Sequence, residues 1–327
     1  MKFLRLCFVF IILAAVSGCG PTYPKETLGE SIVELCKKEY DVEIKAKVIG
    51  NTLAIFIPLP SLLDVTLGMN KEAQEMIQDV LLSTSRVVLS TDAPVEFYCV
   101  IAQDKRLPEL QVIVMKYVDD VKRAFFYDIS RGEYFKRTIF DININPQSRK
   151  ERPIRDIIRK EYNVSPELEE EVLNKFFRSE PLALKDFGYW QDRFYVKKIT
   201  LPEFLAEQMA YRIKMRFRED KELRKKFLVK AVIGAYNKEE PEVFFSFNFD
   251  IKLNEVLKVL GEDVDKSIVF ENVFREISDC LYGYKFDKFD LVRIIDKNTG
   301  DKLLVSRDDI YSFKKKRLAI DGILSGI

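Results

Sequence analysis

Four kinds of side-chain grouping in this 327-residue chain have the composition for chemistry. Asp296-Lys-Asn-Thr-Gly-Asp301 carries the oxygen donors of a calcium loop. Its spacing fails that chemistry, because glycine stands where a fifth-position ligand belongs and no glutamate closes the loop at position twelve. A hairpin turn accounts for it. Ser312-Phe-Lys-Lys315 matches a bare Ser-x-x-Lys pattern, but the partner motifs Ser-Asp-Asn and Lys-Thr-Gly are absent. Asp119-Asp120 and Asp308-Asp309 offer paired carboxylates, yet acidic residues at a helix start are stabilised by the helix dipole without any catalytic role. Cys36, Cys99 and Cys280 are thiols in apolar-patterned segments, which reads as buried free cysteine. The chain has no histidine. That removes Ser-His-Asp and Cys-His pairs, helix-borne histidine zinc motifs and imidazole acid–base chemistry at neutral pH. There is no Cys-x-x-Cys and no glycine-rich phosphate cradle. No catalytic residue, cofactor or metal ligand is expected, and the chain reads as a non-enzyme.

One further cysteine sits in a different setting. Lys2 and Arg5 give a positive start, Leu6 to Val16 is an uncharged apolar run, and Ser17 and Gly18 are small. This is the three-part layout of a secretory signal peptide. The apolar run is eleven residues, against the roughly 20 that a spanning helix needs. Val16-Ser17-Gly18-Cys19 resembles the lipobox of bacterial lipoproteins, with valine in place of the usual leucine. The resemblance covers residues 1–19 only. It implies cleavage between Gly18 and Cys19 and a diacylglycerol, often with a further acyl chain such as palmitate, on Cys19. Gly20 replaces the aspartate that favours inner-membrane retention in that family. The expected place is therefore the cell envelope, on the outer membrane facing the periplasm where two membranes exist.

Composition limits the partners. The formal charge is +1, and it becomes −1 once Lys2 and Arg5 are removed. A mixed, near-neutral balance argues against nucleic-acid binding. With three thiols beside Cys19, the count is odd and does not make a disulfide framework.

The elements that hold these residues follow from periodicity. The chain reads as a signal peptide at 1–18, a tether at 19–29, a first α+β domain at 30–145, a mostly helical bridge at 146–200 and a second α+β domain at 201–327. Gly20 to Gly29 is a polar connector that spans roughly 30–35 Å when extended. A helix is expected over Leu28 to Tyr40. A hairpin turns at Gly50-Asn51, a helix runs near Asn70 to Ser83, and a second hairpin pairs Val95–Ala102 with Leu110–Tyr117. Asp119-Asp120 starts another helix. In the bridge, Ser165-Pro166 caps an expected helix Glu167 to Arg178, approached by basic residues from Arg149 to Lys160.

The order then returns. A long helix runs from Pro202 to about Lys226, and a hairpin turns at Asn237 to Pro241. A helix near Ser267 to Leu281 follows, then a hairpin around Lys297 to Asp301 and a last helix from Asp308-Asp309. In the second hairpin strand Val243, Phe245, Phe247, Phe249 and Ile251 share a face, with Phe244 out of step. Both halves read α-ββ-α-ββ-α, with antiparallel sheets and helices on a face, as an internal duplication would give. Val48-Ile49-Gly50 recurs as Val232-Ile233-Gly234, and Val118-Asp-Asp-Val-Lys122 as Arg307-Asp-Asp-Ile-Tyr311.

The functional expectation is a membrane-anchored assembly or scaffold lipoprotein that binds an envelope protein partner. The alternative is a small-ligand or lipid-binding lipoprotein, which requires an enclosed apolar pocket lined by Phe245 or Phe247. Lys314-Lys-Lys-Arg317 is a basic run suited to phospholipid headgroups or an acidic partner.

Overall fold

The computed structural model describes residues 22–64, 68–144, 165, 184–254 and 267–324. Cys19, Gly18, the expected helix at 167–178 and the basic approach at 149–160 lie outside them. The chain is α+β and divides into two compact units. Among the described residues the first holds the chain up to Tyr134, Asp141–Ile144 and Phe187–Lys198, and the second holds Phe135–Phe140, Leu184–Asp186 and Ile199–Leu324.

The first unit opens with Tyr23, whose N–H donates to the Ser90 carbonyl at 3.2 Å. A short 3-10 turn, Lys25–Thr27, leads into α1, Leu28–Tyr40. Leu28, Ile32 and Cys36, spaced by four, form its wholly buried stripe. β1 (Lys45–Ile49) and β2 (Thr52–Leu59) make the expected hairpin. Its two-residue turn starts on Gly50 at φ 61°, a position that suits glycine. α2 runs Lys71–Leu89 from an Asn70 cap that accepts N–H groups of Glu72 and Ala73. β3 (Phe97–Asp104) and β4 (Leu110–Tyr117) form the next hairpin, followed by α3 (Val118–Phe125) and α4 (Arg131–Lys136). β5, Ile139–Ile144, completes a sheet of order β1-β2-β3-β4-β5. Of the stretch 146–200, the described part holds a 3-10 turn, Leu184–Asp186, and the short hairpin β6 (Gly188–Trp190) and β7 (Arg193–Tyr195).

The second unit starts with α5, Leu201–Glu219, under a capping box in which Thr200 and Glu203 satisfy each other's end groups. The expected continuous helix to Lys226 breaks at Asp220. That carboxylate accepts the N–H groups of Glu222 and Leu223 and so starts a new helix, α6 (Lys221–Lys226). β8 (Phe227–Glu239) and β9 (Glu242–Leu253) pair antiparallel, α7 is Ser267–Tyr284, and β10 (Leu291–Asp296) pairs with β11 (Lys302–Ser306). α8 (Arg307–Lys314) is not the last helix, since α9 (Ile320–Leu324) follows it. Phe245, Phe247 and Phe249 are fully buried in a core with Met209, Ile213 and Phe274. Phe244 faces the other way and is covered by the Arg293 guanidinium, 4.3 Å from its ring centroid. Edge strand β8 carries a bulge between Val229 and Ala231 that leaves Lys230 unpaired, a feature that blunts edge-to-edge pairing.

The expectation of purely antiparallel sheets is corrected. β2 runs parallel to β3, and β9 parallel to β10. In each unit a long helix carries the chain back between the hairpins, which is what a parallel neighbour requires. β2 and β3 are buried along nearly their whole length, so they read as continuous apolar runs rather than alternating ones.

The two units share one topology: helix, hairpin, crossover helix, hairpin, helix, with strands adjacent in chain order. The match reaches single hydrogen bonds. Glu96 N–H donates to Asn51 O, and Asp290 N–H to Val243 O; Val118 N–H donates to Glu96 O, and Arg307 N–H to Asp290 O. The turns after α3 and α8 also coincide. Tyr127 and Lys316 sit at φ 61° and 58°, and each is flanked by the same pair of bonds, Tyr127 to Ala124 and Asp128 to Arg123, Lys316 to Phe313 and Arg317 to Ser312. This is a Schellman helix end in which a bulky residue holds the place usually taken by glycine.

Candidate functional site

The carboxylate pairs are where a structural role puts them. Asp119-Asp120 and Asp308-Asp309 lie in the first turns of α3 and α8. Ser306 and Asp309 bond reciprocally as a helix cap, at 2.7 and 3.1 Å. Asp296 takes the Asn298 backbone N–H at 2.7 Å and its amide at 3.0 Å, which closes the β10–β11 turn with Gly300 at φ 80°. Among the described residues no group of carboxylates and thiols has the arrangement to hold a metal ion. Ser312 is half-buried while Lys315 is exposed at the α8 cap.

Cys36, Cys99 and Cys280 are buried thiols in no disulfide, as expected. Burial pushes the Cys36 thiol up to about 11 and the Cys99 thiol up to about 12. In the unfolded chain both ionise near about 8.5. Below that pH both states keep their protons and the contribution to stability is whole. As pH rises toward the folded values the unfolded thiols lose protons first, so stability falls. Urea melts of the body lacking residues 1–19 are expected to lose more stability between pH 8.5 and 11 than the same body carrying Cys36→Ala and Cys99→Ala. Equal losses would disprove the burial effect. Native thiols should also react with a disulfide reagent only after unfolding.

A tight cluster of ionisable groups lies in the first unit. Lys45 Nζ reaches Tyr189 Oη at 2.9 Å and Asp192 Oδ1 at 2.7 Å, and Tyr189 Oη donates to Asp192 at 3.1 Å. Gln111 holds the Tyr189 backbone by both its N–H and its carbonyl, and the ring stacks on Phe56 at 3.9 Å. The bond to Asp192 holds Lys45 protonated, the same bond holds Asp192 ionised, and burial keeps the Tyr189 phenol neutral. None of the three is poised to exchange a proton near neutral pH, as an acid–base catalyst must be. The cluster straps the β6–β7 hairpin to the first sheet.

A concave site lies in the second unit. The end of α8 and the turn after it face α7 across an open groove of about 710 Å³. Arg275, Lys314, Lys316 and Arg317 line it against a single carboxylate, Asp279, over a floor that includes Phe313 and Leu318. Lys314 is paired with Asp279, and Arg275 with Glu271 at 2.7 Å. Lys316 and Arg317 are exposed and have no acidic partner among the described residues. The groove offers positive charge beside an apolar floor, which fits an anionic group carried on an apolar body. Its basic run was visible in the sequence. Arg275 and Asp279 were missed, because they join it only through the packing of α8 on α7.

The ligand pocket expected of the alternative reading is not at the phenylalanine strand. Phe245 and Phe247 are wholly buried and stack on one another, and Phe245 also meets the Phe286 and Phe289 rings. No helix among the described residues is long and apolar enough to cross a membrane. No family model, curated protein or solved structure matches the chain.

Proposed function

We propose that the mature chain is a non-enzymatic envelope lipoprotein, held by lipid on Cys19 at the outer membrane facing the periplasm, which binds an acidic protein partner through its second unit. Its two units are read as a duplicated α-ββ-α-ββ-α module. The signal-like start ending in Val16-Ser17-Gly18-Cys19 supports the anchor. The observation that carries the partner reading is the groove, with two unpaired cations, Lys316 and Arg317, at its mouth. The packed phenylalanine core favours this reading over an enclosed lipid or ligand cavity. Electrostatic complementarity of this kind sets partner choice and encounter rate.

The test is photo-crosslinking in the envelope from a benzophenone amino acid at exposed Ala319, beside the groove. One acidic protein is expected in the adduct. Lys316→Glu with Arg317→Glu should lower its yield by roughly tenfold, since like charges then face each other. An adduct that survives the charge reversal, or the absence of any adduct, would overturn the partner reading.

A further inference from the structure

The turn that is basic in the second unit is aromatic in the first. Phe125, Phe126 and Tyr127 stand where Lys314, Lys315 and Lys316 stand, on the same Schellman backbone. Their side chains are 66, 69 and 93% exposed. The second unit shows that the turn forms without aromatics. Tyr127 also holds a left-handed φ of 61°, where glycine is the unstrained choice. Three large aromatics are thus displayed with little packing beyond the edge-to-face contact of Phe125 with Phe126 at 5.4 Å.

The chain's start says what they meet. Tyr23 is already bonded to Ser90 at the end of α2, so only the three residues 20–22 lie between it and Cys19. The connector's expected reach shrinks to roughly 13 Å. With lipid on Cys19, the bilayer surface lies within that distance of Ser90. α3 packs beside α2, and its first N–H is bonded to Glu96, a few residues along the chain from Ser90, so the aromatic turn at the other end of this eight-residue helix stands roughly 12 Å further on. We propose that Phe125-Phe126-Tyr127 is a membrane-contact turn that seats in the interface of the bilayer holding the lipid. The amphipathic Tyr127 ring favours that layer, the Phe125 and Phe126 rings gain by leaving water, and exposed Lys122 stands one helical turn back for the headgroups. The proposal rests on the lipid anchor at Cys19.

The experiment uses the full lipidated protein, its lipid confirmed by intact mass, in phosphatidylcholine vesicles with or without brominated acyl chains. Phe126→Trp is compared with Leu107→Trp, an exposed site in the β3–β4 turn, each over the constant signal of Trp190. A blue shift and bromine quenching are expected for Phe126→Trp and not for Leu107→Trp. Tyr127→Gly, added to Phe126→Trp, should raise the melting temperature while reducing the quenching. With lipid present, a Phe126→Trp chain that is not quenched, or quenching equal in the two variants, overturns the membrane-contact turn and leaves the anchor standing. A Tyr127→Gly chain that melts lower shows a packing role and overturns it as well. A mature mass without diacylglycerol removes the anchor, and the proposal falls with it.

Discussion

Replacing Cys19 with serine is expected to move the protein from the membrane fraction to the soluble envelope fraction. No helix among the described residues is long and apolar enough to cross a membrane. A lipid contributes about 0.8 kcal/mol per buried methylene; one chain binds only marginally, with an association constant of about 10⁴ M⁻¹, whereas two anchor stably. Losing a diacylglycerol removes both chains at once. The aromatic turn could not replace it, because three side chains bury far less apolar surface than two acyl chains. The structure raises the stakes of this residue. With Tyr23 docked on Ser90, a lipid on Cys19 would have three residues between it and the first unit, and its loss would also end that unit's tethering at the surface. The check is fractionation of wild type and Cys19→Ser beside radiolabelled palmitate. Label absent from the wild type, or a variant that stays with the membrane, would refute the anchor.

How far the sequence disclosed this fold depends on what each residue had to signal. The element order was legible because α1, the hairpins and the Asp-Asp helix starts announce themselves locally, through four-residue spacing, turn glycines and acidic first turns. The far end of α2 was hidden. Ser83-Thr84-Ser85 reads as a polar stop, but Thr84 and Ser85 donate their hydroxyls back to the Val80 and Leu81 carbonyls at 2.6 and 2.8 Å, so the helix continues to Leu89. The parallel pairs were hidden because direction is a property of the connection, not of either strand. The β6–β7 hairpin was hidden because three-residue strands are too short to show a period. The groove was half legible: Lys314 to Arg317 stand together in the chain, while Asp279, the partner of Lys314, comes from another helix. The aromatic turn needed the structure twice, once to show Phe125 to Tyr127 exposed and once to show the same turn built from other residues.

The repeated Val-Ile-Gly is the clearest case of a signal with two meanings, and it carries the other large prediction. Both copies fall on the first strand of their unit's first hairpin. Gly50 ends its copy in the turn, at a positive φ. Gly234 lies in the middle of β8, opposite Phe247, with no left-handed angle to explain it. Its reason is proximity. A Cβ at Gly234 would stand 2.2 Å from the carbonyl oxygen of Ala206 on α5 and 2.8 Å from the Phe247 ring. The first of these is backbone of a helix fixed by its own core residues, Leu205, Met209 and Ile213, so it cannot yield as a flexible side chain would. Gly234→Ala therefore has to push α5 off the second sheet. The expected loss is about 3 kcal/mol, at the upper end for overpacking, and roughly 6–12 °C in melting temperature for a unit of this size. Gly132→Ala is the matched control. It lies in α4 with only the Ser130 hydroxyl near, 4.0 Å away, and alanine in a helix is favoured over glycine by up to about 1 kcal/mol. Urea and thermal melts of the two variants should therefore shift in opposite directions. A Gly234→Ala protein that melts with the wild type would show that α5 does not approach the sheet as closely as the structure places it, and the core built from Phe245, Phe247 and α5 would have to be redrawn.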